Sequence, residues 1–286
     1  MTNVIAHRGW HDNKGVYTEN SLPSFRKAID IGCDFIELDV HLSLDGVPFV
    51  IHDETIDRTS LESIRGRCCD MLSRELRKVR ICKRTNSVDI RVHAFIPTLD
   101  EVLGLVADSK VKVLIELKAR VSLPVKFGCR PCGRVRTYEG LVEAVLKSAR
   151  RFPDTDIVFQ SFCREYLEEI HRRSPDIELH LLAAGWTRIF FSLSVVWDMD
   201  GVRLAIDPIR NLRRDLPIAS VNVSKFLVTL DSVRRAKARG LRVFVWTVDD
   251  RAEMKKLISW GVDGIITNKP DLLLGLSVGR SECLRK

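Results

Sequence analysis

A chain of 286 residues with 45% hydrophobic side chains and a mean hydropathy of −0.03 can bury a large core as one soluble domain, and no second domain is required. No apolar run reaches the ~20 residues of a bilayer span, and residues 4–6 already have the pattern of a strand, so no signal peptide is expected and a cytoplasmic location follows. The net charge of +8 raises nucleic acid as a partner, but the excess lies in two stretches: 54–96 with ten basic and six acidic residues, and 119–137 with five basic and none acidic. Neither carries aromatic interleaving or a helix-turn-helix pattern, so a nucleic-acid role is set aside. Eight cysteines with a single Cys-x-x-Cys, Cys129 to Cys132, lack the second pair of a zinc site and are expected as thiols.

In chain order, a first strand over 4–6 ends in His7, Arg8 and Gly9. A loop through Glu19 and Asn20 leads to a helix capped by Ser21, with Pro23 in its first turn and an apolar stripe at Leu22, Phe25, Ala28 and Ile29. The second strand, 35–40, places Glu37 and Asp39 on one face and Ile36, Leu38 and Val40 on the other. Two carboxylates aimed into one buried place require a cation, and oxygen-only ligation favours a hard ion such as Mg2+ or Ca2+; on an edge strand the same pair would simply be solvated. After the turn at Asp45-Gly46, a short apolar run delivers His52 and Asp53.

The alternation then resumes: strand 111–117, helix 138–151, strand 157–159, helix 165–173, strand 179–183, strand 219–223, helix 229–239, strand 243–248, helix 251–260 and strand 264–267. Residues 185–216 break the rhythm, and their apolar run over 189–197 is expected to form a core helix. Eight strands alternating with helices, most of them near-continuously apolar, predict a (β/α)8 TIM barrel with a small insertion after strand two. The whole of 1–286 is taken as one such domain, carrying the basic insertion at about 54–96 and the basic loop at about 119–137.

In such a barrel the C-terminal strand ends share one mouth, which collects His7, Arg8, Glu37, Asp39, His52, Asp53, Glu116 and Lys118. Glu37, Asp39 and Glu116 suit one divalent metal ion, while Arg8 and Lys118 suit the oxygens of an anionic substrate. His7 and His52 suit a general acid and base. Each also has an ordinary structural use, and Lys118 can serve simply to neutralise Glu116.

The chain resembles the glycerophosphodiester phosphodiesterases. The blocks that carry the resemblance are HRG at 7–9, EN at 19–20, GCDFIELDV at 32–40, DGVPFVIHD at 45–53, DRTS at 57–60, IPTLDEVL at 96–103, IELK at 115–118, QSF at 160–162, VWTVDD at 245–250 and GVDGIITNKP at 261–270. The resemblance implies metal-dependent hydrolysis of a glycerophosphodiester to sn-glycerol 3-phosphate and an alcohol. It places the metal ligands on Glu37, Asp39 and Glu116, the catalytic histidines on His7 and His52, phosphate binding on Arg8 and Lys118, and supporting roles on Glu19, Asn20 and Trp246. The chain departs from the family pattern at Thr18, usually proline, at Asp249, usually asparagine, and at Asn268, often aspartate.

Two other readings remain at this level. One is a lysophospholipase D acting on lysophospholipids, with Phe162 and Trp246 lining an acyl groove; the other is a non-catalytic phosphodiester-binding protein, which would need no proton-transfer pair. A metal-dependent amidohydrolase is disfavoured, because the first strand lacks His-x-His. The two basic stretches, expected around the mouth, would attract anionic substrates and admit peripheral contact with anionic lipid.

Overall fold

The computed structural model describes residues 1–12, 17–61, 64–82, 94–121, 135–183, 195–197, 203–205 and 216–276. Eight parallel strands form its centre: β1 (Asn3–His7), β2 (Phe35–Leu42), β3 (Lys112–Leu117), β4 (Ile157–Ser161), β5 (Glu178–Ala183), β6 (Ile218–Ser224), β7 (Arg242–Trp246) and β8 (Gly264–Thr267). Each pairs with the next, and β1 pairs with both β8 and β2, so the sheet closes on itself as the predicted TIM barrel. Around it lie α1 (Leu22–Asp30), α2 (Leu99–Val106), α3 (Leu141–Ala149), α4 (Arg164–Arg173), α5 (Leu230–Ala238), α6 (Arg251–Ser259) and α7 (Pro270–Leu274).

Strand alternation sorts the apolar residues into two cores. Val4, Ile36, Leu38, Val40, Val113, Ile115 and Val243 face outward onto Phe25, Leu99, Val145 and the other helix stripes. Inside the barrel, Ile5, Phe35, Leu114, Val158, Phe244 and Ile266 form a separate apolar cluster. A third cluster, Phe49, Ile51, Ile56, Cys68, Leu76, Val79, Ile81 and Ile96, is the small core of the insertion after β2. The insertion opens with Pro48–Val50, which pairs antiparallel with β2 and so carries His52 back over the barrel.

The caps explain the helix starts. Ser21 accepts from the Ser24 backbone in a capping box and Pro23 lies in the first turn of α1, as its sequence predicts. Helix α2, absent from the predicted elements, begins with the same device: Thr98 accepts from the Glu101 backbone while the Glu101 carboxylate accepts from Thr98 N–H. The predicted core helix over 189–197 is corrected where it is described. Val195–Trp197 pairs antiparallel with Arg203–Ala205, in keeping with the preference of β-branched and aromatic residues for extended backbone. The remainder of 185–215 lies outside the described residues. No helix among the described residues is long and apolar enough to cross a membrane.

Candidate active site

Parallel strands present all their C-terminal ends on one face, and the chemistry collects there. Register sets it: Asp39 on β2 lies beside Glu116 on β3, and Glu37 lies beside His7 on β1. The carboxylates of Glu37, Asp39 and Glu116 are buried and bring oxygens within 4.8 Å of one another. Three negative charges in so small a dry space repel strongly. Burial, reinforced by Asp39 and Glu116, holds the Glu37 carboxyl well above its ordinary pKa. Burial also raises Glu116, against the pull of Lys118. Asp39 goes the other way: burial opposes ionisation, but Lys118 and Arg8 outweigh it and keep the group well below the usual range.

The polar partners account for much of this. Lys118 Nζ lies 2.9 Å from Asp39 Oδ1 and 2.7 Å from Glu116 Oε1, and Arg8 Nε lies 3.3 Å from Asp39 Oδ2. Asn20 Nδ2 donates to Asp39 Oδ2 at 2.8 Å, and Gln160 Nε2 donates to Glu37 Oε1 at 3.1 Å. Arg8 N–H donates to Glu37 Oε2, an orientation set by a left-handed backbone at Arg8 (φ 57°), whose carbonyl in turn accepts from Asn20 N–H, itself at φ 53°. The next residue must be glycine: at φ 81° a Cβ on Gly9 would sit 2.5 Å from Ser24 Oγ and 2.8 Å from its carbonyl carbon. Oxygen-only donors with excess negative charge fit a hard divalent cation.

The two histidines are held differently. His7 Nδ1 meets Asn268 Oδ1 at 2.6 Å, and His11 Nε2 meets the same oxygen at 3.1 Å. Asn268 is fixed in turn by Asp249, which accepts from its side-chain amide at 2.7 Å and from its backbone N–H at 2.8 Å. Two departures from the family pattern are therefore one bonded unit, in which acid and amide have changed places. Burial, with Arg8 adding to it, pushes His7 down to about 3. His52 Nδ1 instead meets the Asp53 carboxylate at 2.7 Å, and its backbone carbonyl is 3.1 Å from the buried His41 ring.

Arg58, which the residue-level reading did not single out although it lies in the DRTS block, ties these parts together. Its Nε bonds Asp53 Oδ2 at 2.5 Å, and its two terminal nitrogens bond Glu19 at 3.0 and 2.7 Å. Glu19 also accepts from Arg8 at 2.9 Å, and the bonds from Arg58 and Arg8 overcome burial to hold its carboxyl down at about 2. Thus His7, Arg8, Glu19, Asn20, Glu37, Asp39, Glu116 and Lys118 converge as expected, with His52 joined through Asp53 and Arg58. Trp246 is half-buried, edge-on to Phe162 with ring centres 5.8 Å apart, and its indole N–H is donated to Asn222 O at 2.9 Å. Among the described arginines of the basic insertion, Arg58, Arg67 and Arg77 pair with acids. The attraction of anionic substrates expected of the basic loop at 119–137 falls mostly on residues outside those described.

Known proteins are similar to this chain along most of its length. A chain from Caldanaerobacter subterraneus named glycerophosphodiester phosphodiesterase is 32% identical over 276 residues, covering 96% of this chain and 97% of that one. One of the same name from Bacillus altitudinis is 31% identical, covering 95% and 96%. Among solved structures, an Oleispira antarctica phosphodiesterase in complex with its product sn-glycerol-3-phosphate superposes with a TM-score of 0.73 at 22% identity, covering 96% and 95%. A glycerophosphodiester phosphodiesterase from Thermotoga maritima gives 0.66 at 23%, covering 96% and 99%. The sequence profile of the glycerophosphoryl diester phosphodiesterase family matches residues 7–272, a range that includes every candidate site residue from His7 to Asn268, and the chain belongs to that family.

Proposed function

We propose that the protein hydrolyses glycerophosphodiesters to sn-glycerol 3-phosphate and an alcohol at the mouth of the barrel, with a divalent cation, Mg2+ or Ca2+, held by Glu37, Asp39 and Glu116. The observation that carries this reading is the buried three-carboxylate cluster flanked by two histidines whose ring partners differ in charge. A bound cation would supply positive charge to the phosphoryl oxygens, which a phosphodiester monoanion needs before a nucleophile can approach. Arg8 and Lys118, already beside Asp39, offer further donors to the same oxygens.

The histidine partners support a division of labour. Asn268 turns its oxygen to His7, so Nδ1 carries the proton and Nε2 keeps a free lone pair; a low pKa keeps it free at neutral pH. His7 is then the base that takes the proton from the nucleophilic hydroxyl, from water or from the glycerol C2 of the substrate. Asp53, 2.7 Å from His52 Nδ1, orients that ring with Nε2 free to serve as the acid that delivers a proton to the leaving oxygen as the P–O bond breaks. The product bound to the Oleispira relative is of the class expected here.

Incubation with glycerophosphocholine and, separately, with lysophosphatidylcholine, each with Mg2+ or Ca2+, tests the reading through a dehydrogenase-coupled assay for sn-glycerol 3-phosphate. Release from glycerophosphocholine, abolished in His7→Ala and His52→Ala, is expected. No release from it in any metal condition contradicts the proposal, and lysophosphatidic acid formed from lysophosphatidylcholine alone selects the lipid-directed alternative.

A further inference from the structure

The interior of the barrel is not apolar throughout. Strands β1, β2, β3, β4, β7 and β8 fill it with the cluster of Ile5, Phe35, Leu114, Val158, Phe244 and Ile266, whereas β5 and β6 contribute His180, Ser220 and Asn222, all fully buried. Beginning at Glu37 in the acid cluster, a continuous chain of hydrogen bonds runs down this side to the opposite face. Glu37 Oε1 accepts from Gln160 Nε2 at 3.1 Å, and Gln160 Oε1 accepts from Asn222 Nδ2 at 2.7 Å. Asn222 Nδ2 also lies 3.2 Å from His180 Nδ1, while its oxygen accepts from Ser220 at 2.9 Å. His180 Nε2 lies 2.7 Å from Glu178 Oε1, which is also paired with Arg242. Glu178 and Arg242 are the first residues of β5 and β7, at the N-terminal face, where both side chains are about one-third exposed, at 33% and 36%.

The direction of this chain is dictated from its lower end. An ionised carboxylate only accepts, and Glu178 Oε1 at 2.7 Å is closer to His180 Nε2 than the Arg242 guanidinium at 3.4 Å, so His180 carries its proton on Nε2 and leaves a lone pair on Nδ1. That lone pair requires the amide nitrogen of Asn222, and the second hydrogen of the same nitrogen goes to Gln160. Gln160, its oxygen thus engaged, can present only its NH2 group to Glu37. Reversing every orientation would set a lone pair against the Glu178 carboxylate at one end and, with Glu37 ionised to hold a cation, against that carboxylate at the other, a costly arrangement in a dry interior. With Gln160 donating to one oxygen of Glu37 and Arg8 N–H to the other, the carboxylate is fixed in orientation and keeps lone pairs for a further ligand.

We propose that Glu178 and His180 are positioning residues for Glu37, acting through Asn222 and Gln160 to fix which end of the Gln160 amide faces the cation-binding carboxylate. This rests on the proposed cation site. Groups that orient a metal ligand typically change metal affinity by about 10–100-fold when removed.

Calorimetric titration of the intact, substrate-free protein with Mg2+ and with Ca2+ tests it, alongside melting temperature and 15N spectra of histidine-labelled protein. Asn222→Asp offers only acceptors, so Gln160 must turn its oxygen toward Glu37. Cation affinity should fall about 10-fold or more, although the added negative charge alone would strengthen it. Glu178→Ala, at the partly exposed end, frees His180 to exchange tautomers: its spectrum should change from Nε2–H to a mixture and affinity should fall by at least about threefold, with little change in melting temperature. Unchanged or tighter binding in Asn222→Asp overturns the proposal. Should that variant not fold, Glu178→Ala with parental affinity overturns it alone, whatever the tautomer. A parent protein that takes up neither cation overturns the cation site and this inference with it, an outcome distinct from a parent and variants that bind equally.

Discussion

Exchanging the acid and amide behind His7, in the double variant Asp249→Asn with Asn268→Asp, should raise the pKa of that histidine and move the acid limb of the pH profile upward. In the parent, a neutral oxygen lies 2.6 Å from Nδ1, with the Asp249 carboxylate one residue further away. The exchange brings the charge into direct contact, while the amide introduced by Asp249→Asn can still donate to the new carboxylate. At an effective dielectric of ~20 a pair of unit charges ~4 Å apart is worth about 4 kcal/mol, or about three pKa units. Since Asp249 and His7 already interact in the parent, part of that is present before the exchange, and a net rise of about two units is expected. His7 would then titrate near 5 in place of about 3. A carboxylate favours the imidazolium, so the free base is lost at a higher pH and kcat/KM falls sooner on acidification. Stability follows the opposite trend. In the parent the unfolded chain takes up a proton at 6.5 that folded His7 refuses until about 3, so stability is lost as pH falls through that window. In the exchanged variant the window narrows and less is lost. An NMR titration of 13C-labelled histidine, with the His7 signal assigned by its absence in His7→Gln, reads the shift directly. A His7 signal that titrates no higher in the double variant than in the parent refutes the electrostatic reasoning.

Arg58→Met should lower kcat about tenfold by freeing Asp53 and Glu19 together, with a stability loss of only about 1 kcal/mol because Arg58 is half-exposed; normal kcat with a lower melting temperature would make it a brace alone. Lys118→Met removes a cation from between Asp39 and Glu116, so divalent-cation binding should tighten while KM for the phosphodiester rises about tenfold, and steady-state kinetics across a metal titration separates the two effects. Gly9→Ala should cost about 3 kcal/mol in chemical denaturation, from left-handed backbone plus the contact with Ser24; a loss under about 0.5 kcal/mol would show that the turn relaxes freely.

The barrel was legible because its strands, covered by helices on one side and packed inside on the other, spell apolar runs at regular intervals. The acid cluster was legible too, since Glu37 and Asp39 share a face by strand period and Glu116 stands at the same level of the next barrel strand. What supports the histidines was less so. His7 meets Asn268 across 261 positions and Arg58 meets Glu19 across 39, separations that only closure of the barrel and folding of the insertion bring together. Helix α2 carried its signal in Thr98 and Glu101, a capping box inside a stretch whose apolar residues otherwise offer few turns of period. The buried chain below Glu37 was not legible as a unit because its bonds join distant strands: Gln160 meets Asn222 across 62 positions and Asn222 meets His180 across 42.

The most direct test is whether hydrolysis requires a cation at the three carboxylates. Parent protein stripped with EDTA and assayed with glycerophosphocholine should be inactive, and should recover as Mg2+ or Ca2+ is restored, saturating with one ion bound per chain. Glu37→Gln should remain folded yet recover less than about 1% of that activity at the same metal concentration. Full turnover in excess EDTA, or normal metal-dependent turnover in Glu37→Gln, would contradict the assignment of the site.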